Sequence, residues 1–88
     1  MSAAARQSDG PEPRVRLIGK PDCHLCDQAR AVITGVCADL GVAWDERSIL
    51  DDPELADLYW EQIPVTLVDG VVVATWTVDA SALRAALA

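Results

Sequence analysis

The chain has 88 residues, 51% of them hydrophobic, with 14 acids against 7 bases and a formal net charge of −7. That length holds one small domain, burying roughly 60–65% of its unfolded surface, and the hydrophobic content excludes a disordered polymer. The charge repels nucleic acid and anionic membrane, and three cysteines, an odd count with no apolar leader ahead of them, argue against a secreted disulfide framework.

Residues 1–13, ending in Gly10-Pro11-Glu12-Pro13, lack apolar periodicity and are expected to be a disordered tail ahead of one domain over 14–88. Arg14-Val15-Arg16-Leu17-Ile18 alternates and then turns apolar, predicting a strand that Gly19 and Pro21 stop. Beyond the loop Lys20-Pro21-Asp22, the spacing of Leu25, Ala29, Val32, Ile33, Val36 and Leu40 predicts an amphipathic helix that Gly41 ends. Val42 to Arg47 reads as a second strand. Asp51-Asp52-Pro53-Glu54 then starts a short helix, with an Asp cap, Pro in the first turn and an acid beside it, ending near Tyr59-Trp60. Pro64 to Val68 and Val71 to Trp76 flank Asp69-Gly70, a strong hairpin signal. Asp79 caps a last helix bearing Leu83, Ala86 and Leu87. The order β-α-β-α-β-β-α predicts an α/β fold: a four-stranded mixed sheet, its first pair parallel and its hairpin antiparallel, covered by helices on both faces. No segment has the roughly 20 apolar residues that span a bilayer, and the chain is expected to be a cytoplasmic monomer.

The chemistry points to Cys23-His24-Leu25-Cys26, which sits where the first strand gives way to the first helix. Unpaired N–H groups and the positive end of the helix dipole favour a thiolate there, lowering the Cys23 pKa from about 8.5 toward neutrality. Three residues on, Cys26 lies one turn deeper, within reach of Cys23 but less exposed, and is suited to resolve a mixed disulfide. Lys20 and a partly protonated His24 support the thiolate, while Asp22 and Asp27 oppose it, which favours a reductase over a strong oxidant. Pro64 opens the third strand, where no ladder donor is needed, and is a candidate for the cis isomer. The third strand lies beside the first, so Ile63-Pro64 falls next to the cysteine loop, where the backbone of Ile63 can meet an extended substrate.

Other readings of these residues are blander. Zinc needs four ligands, against one Cys pair, His24 and a mid-helix Cys37, so no metal is expected; haem attachment requires His where Asp27 stands. Cys37, on an apolar stretch, reads as a buried structural thiol. Tyr59, Trp60 and Trp76 read first as core, with Trp60, four residues before Pro64, an alternative wall of the groove. The rival to an enzyme is a binding module whose cysteine pair senses redox state or stabilises a docking surface.

Gly19-Lys20-Pro21-Asp22-Cys23-His24-Leu25-Cys26-Asp27, Ile63-Pro64-Val65 with Val68-Asp69-Gly70, and Trp76-Thr77-Val78-Asp79 leading into Leu83 and Leu87 together resemble the glutaredoxin-like branch of the thioredoxin superfamily, in particular its small bacterial members. The resemblance covers Arg14 to Ala88. It implies a thioredoxin-like three-layer fold, Cys23 as nucleophile, Cys26 as resolving thiol and Pro64 as the cis-proline beside them. It also implies reduction of protein or small-thiol disulfides with no bound cofactor, the electrons coming from glutathione, another low-molecular-weight thiol or a reductase. Where glutaredoxins carry a Gly-Gly pair near glutathione, this chain has Ala74-Thr75-Trp76-Thr77, so Trp76 either blocks that approach or replaces it with a stacking surface. Lys20 is then placed to contact a carboxylate of the thiol and Asp79 an amine, although Asp79 also serves as a helix cap.

Overall fold

The computed structural model describes residues 13–88; of the expected tail, residues 1–12 lie outside the described part. The elements follow in the expected order: β1 (Val15–Gly19), α1 (His24–Leu40), β2 (Trp44–Ser48), α2 (Pro53–Tyr59), β3 (Val65–Val68), β4 (Val71–Thr75) and α3 (Ala80–Leu87). They form one four-stranded sheet in the order β2-β1-β3-β4. β1 and β2 are parallel, while β1–β3 and β3–β4 are antiparallel.

Local chemistry fixes the boundaries. Gly41 ends α1 in the left-handed region at φ 68°, and the next N–H, of Val42, donates to the carbonyl of Cys37 at 3.0 Å. That commitment keeps Val42 out of the ladder, so β2 begins at Trp44 and not at Val42 as expected. Asp52 caps α2 by accepting the N–H groups of Glu54 and Leu55, and Asp79 caps α3 by accepting that of Ala82. Asp69 and Gly70 both have positive φ, 52° and 84°, which is the primed turn that matches strand twist. A bulge follows: Leu67 faces Val72 but Thr66 faces Ala74, leaving Val73 as the extra residue.

Val15 and Leu17 on one sheet face, with Val68, meet Ala29, Ile33, Val36 and Cys37 of α1 and Leu83 and Leu87 of α3, all buried. α1 and α3 thus share this layer, joined also by the bond of Arg84 to Asp39 at 2.6 Å. Ile18 and its register partner Val65 point to the opposite face and are equally buried; α2 and its flanking chain form that second layer. The expected apolar stripe of α1 is shifted. Leu25 and Leu40 are exposed, and Cys26 and Cys37 take buried positions instead. The helix is 17 residues long, about 25 Å, whereas the strand it covers has five residues, about 17 Å, so its end turns overhang the sheet. Among the described residues no helix is long and apolar enough to cross a membrane.

The parallel pair is bolted on its surface. Arg16 and Asp45 are cross-strand partners, and the guanidinium meets both carboxylate oxygens at 2.8 and 2.9 Å. That bond to Arg16 holds the Asp45 carboxyl below its usual range despite partial burial, with help from the Arg16 and Arg47 charges. Because the folded-state value is depressed, the contribution is present above the ordinary carboxylate range and is lost as pH falls through the folded value. Asp45→Asn is therefore expected to lower stability at pH 7 by about 0.5–1 kcal/mol. Thermal melts of the two proteins should converge as pH falls below the ordinary carboxylate range; a gap that stayed constant to acid pH would refute the assignment.

Candidate functional site

Pro21 followed by Asp22 at φ 57° turns the chain sharply after β1, the combination of a type II turn. The turn delivers Cys23 as the N-cap of α1, extended at φ −117° and ψ 112°. Its sulfur occupies the position a capping oxygen usually takes and accepts the N–H of Cys26 at 3.2 Å. Its carbonyl accepts the N–H of Asp27 at 3.1 Å. Cys23 and Cys26 are joined as a disulfide, with Cα atoms 5.1 Å apart. Cys26 is fully buried, whereas Cys23 is half-buried.

Gly19 explains where the inner sulfur sits. A Cβ built on this residue would stand 2.9 Å from Cys26 Sγ, closer than Cβ atoms come to their neighbours in folded proteins, and 3.4 Å from Cys26 Cβ. The sequence reading treats Gly19 as a strand stop. It instead belongs to β1, pairs with Ser48, accepts the N–H of Ile49 at 2.9 Å and forms the seat for the sulfur.

The register of β1 with β3 pairs Ile18 with Val65, so the next step brings Pro64 level with Gly19 and places Ile63-Pro64 at the disulfide end of the sheet. The Ile63–Pro64 peptide bond is cis. Among the described residues, neither the N–H nor the carbonyl of Ile63 is engaged in a turn, loop or cap hydrogen bond. Trp76 is strapped to the same segment. Its backbone N–H donates to the carbonyls of Pro64 at 2.7 Å and Gln62 at 3.3 Å, and its indole N–H donates to the carbonyl of Glu61 at 3.1 Å. Trp76 has φ 65°, a left-handed conformation that costs a residue bearing a Cβ about 1–2 kcal/mol. Its side chain is nonetheless 55% exposed. The reading of Trp60 and Trp76 as core is thus corrected: both stand largely in solvent, and α2, which buries no residue of its own, does not cover them. Tyr59 is half-buried.

Among the charged candidates, Lys20 is exposed beside a hollow of about 390 Å³ that it lines with Gly19, Pro21, Arg30, Glu46, Ser48 and Asp51. His24 is exposed in the first turn of α1, its Nε2 3.2 Å from Nε2 of Gln28. Asp27 faces Arg30, whose guanidinium bonds it at 2.7 Å and Glu46 at 2.7 and 2.8 Å. Arg30 thus offsets the carboxylate expected to oppose a Cys23 thiolate, a role the sequence does not announce. Asp79 is occupied as a cap. Cys37 is buried away from this end, and burial pushes its thiol pKa up.

The model of the Glutaredoxin-like domain family (DUF836) matches residues 14–88. A structural-genomics target protein of X. campestris has a crystal structure 35% identical to the chain, with a TM-score of 0.69 over 83% of this chain and 93% of that one. A protein of Nitrosomonas europaea, 20% identical, superposes with a TM-score of 0.68 over 88% and 94% of the two chains. Thioredoxin 1 of Thermosipho africanus, at 9% identity, gives 0.60 over 83% and 88% and shows the fold alone. No curated protein matches the chain significantly.

The seat at Gly19 has a built-in comparison. Gly35 lies in mid-α1, and a Cβ there would meet nothing within 4 Å. Gly35→Ala is expected to stabilise the domain by roughly 0.5–1 kcal/mol through helix propensity. Gly19→Ala is expected to destabilise it by about 1–3 kcal/mol, because the sulfur it strikes is fixed in place. Denaturant unfolding of the oxidised proteins reads both signs; a neutral Gly19→Ala would remove the seat.

Proposed function

The chain belongs to the glutaredoxin-like domain family, and from that premise we propose that it is a dithiol disulfide reductase acting on protein or low-molecular-weight-thiol disulfides. The observation that carries this reading is the asymmetry of the pair: one sulfur capping α1 at the surface, the other sealed on Gly19 one turn behind.

In the reduced state, the sulfur of Cys23 is favoured as a thiolate by the N–H of Cys26 and by the unpaired amides of the first turn. The thiolate attacks one sulfur of a substrate disulfide, forming a mixed disulfide while the other substrate sulfur leaves as a thiolate that takes up a proton. Cys26 then loses its proton and attacks Cys23 Sγ, releasing the second substrate thiol and closing the Cys23–Cys26 bond. The substrate gains the two electrons that the pair loses, and two protons, one released by Cys26 and one from solvent, since Cys23 enters as the thiolate. Ile63 supplies an unused N–H and carbonyl to an extended substrate chain beside Pro64, as in strand addition. Trp76 offers it an aromatic wall, and Lys20 and His24 flank the cysteine pair along the chain. A thiol donor, whether glutathione, another small thiol or a reductase, returns the pair to its reduced form. The reading places the chain in the cytoplasm, where thiols are kept reduced.

Cys23→Ser is expected to abolish disulfide reduction, whereas Cys26→Ser should accumulate a mixed disulfide with substrate, seen as a mass increase that dithiothreitol reverses. Undiminished turnover by Cys23→Ser would overturn the proposal. Stoichiometric oxidation of the wild-type pair without turnover in the presence of thiol donors would replace it with a redox-sensing or binding module.

A further inference from the structure

The chain between β2 and β3 is unlike the rest of the surface. Residues 49–64 hold Asp51, Asp52, Glu54, Asp57 and Glu61 and no Lys or Arg. Elsewhere, each of the five described arginines pairs with an Asp or Glu: Arg14 with Asp69, Arg16 and Arg47 with Asp45, Arg30 with Asp27 and Glu46, Arg84 with Asp39. Among the described residues, no ion pair reaches the 49–64 stretch. Asp52 is occupied as the cap of α2, which leaves four carboxylates uncompensated. The same stretch exposes apolar side chains: Leu50 is 69% exposed, Leu58 64% and Trp60 62%. Exposed apolar groups rimmed by like charges mark interaction surfaces.

A depression of about 370 Å³ on α2 gives this surface a shape, lined by Glu54, Leu55, Asp57 and Leu58. The two carboxylates are three residues apart, as are the two leucines, so each pair stacks along the helix beside the other. A lysine or arginine side chain satisfies both halves, laying its methylenes on the leucines and its charged head between the carboxylates. Both ends of the stretch meet segments that lead to the disulfide loop. Asp51 lines the hollow that Gly19, Lys20 and Pro21 also line, and the carbonyl of Glu61 holds the indole of Trp76, which is bonded to Pro64.

Resting on the reductase reading, we infer that α2 is the docking face for a basic polypeptide substrate, whose lysine or arginine fills the Glu54–Asp57 depression while its disulfide meets Cys23. A small anionic thiol does not serve this face, since it carries carboxylates toward carboxylates; a polypeptide spans from α2 to the sulfur and is recognised at both. The charge complementarity acts on encounter and orientation, so it belongs to kcat/KM and weakens with salt.

The test compares reduction of three disulfide-linked peptides by the full chain, identical except that a site a few residues from the cysteine holds Lys, Gln or Glu. The Lys peptide is expected to have roughly tenfold higher kcat/KM than the Glu peptide at low ionic strength, shrinking to about twofold or less at 0.5 M salt. In the double variant Glu54→Gln, Asp57→Asn the Lys-to-Glu ratio should fall toward one, a ratio that cancels any loss of folded protein. Equal rates for all three peptides with the unaltered chain would overturn the inference and leave the reductase reading standing. Failure to reduce any of them, or hydroxyethyl disulfide, would remove both. A sedimentation mass showing a dimer that the double variant dissociates would overturn it by assigning the face to a second copy of the chain.

Discussion

The site depends on a close contact: the sulfur of Cys26 resting on the bare backbone of Gly19. This contact joins the end of β1 to the first turn of α1 and leaves no room for a side chain between them. With the inner sulfur fixed, the three-residue spacing and the cap geometry decide where the outer one emerges. Gly19 is tied on one side to β2 through its pairing with Ser48, and on the other the β1–β3 register brings Pro64 level with it. The neighbours of Cys23 are therefore set by the sheet and not by a flexible loop, which is the precision that the proposed role of this sulfur requires.

Charge is distributed to the same effect. The arginines are spent on latches across the body: Arg16 across the parallel pair, Arg30 from α1 to β2, Arg84 between the two helices of one layer. Exposed pairs of this kind contribute little stability each. Their larger consequence is to neutralise acids over most of the surface and concentrate the net negative charge around α2. At the disulfide, Arg30 also neutralises Asp27, so the first turn of α1 has less opposing charge than its residue count suggests.

Much of this was legible in the sequence, and what was not has physical causes. Turn and cap chemistry is local, so Asp52-Pro53, Asp79, Gly41 and Asp69-Gly70 each announced a boundary that the backbone confirms. The order and pairing of strands followed from one parallel crossover and one tight hairpin. The facing of α1 departs from the expected stripe at its ends, where the helix outruns the sheet: Cys26, Ala29, Ile33, Val36 and Cys37 make the buried stripe, while Leu25 and Leu40 overhang. The tryptophans were misplaced because burial depends on what lies opposite, and a seven-residue α2 with no buried residue cannot cover them. The left-handed backbone of Trp76 and the seat at Gly19 are tertiary properties. A glycine before a turn reads the same whether it ends a strand or admits a neighbour's sulfur.

The third thiol bears on how cleanly the pair can cycle. Cys37 follows Cys26 by 11 positions on one unbroken helix, which holds their Cα atoms about 16 Å apart, far beyond the roughly 7 Å limit for a disulfide. Scrambling into a 26–37 or 23–37 linkage would require α1 to unravel. As long as it does not, the native linkage is the sole intramolecular disulfide open to these three sulfurs, and in the proposed reaction each chain would exchange electrons two at a time.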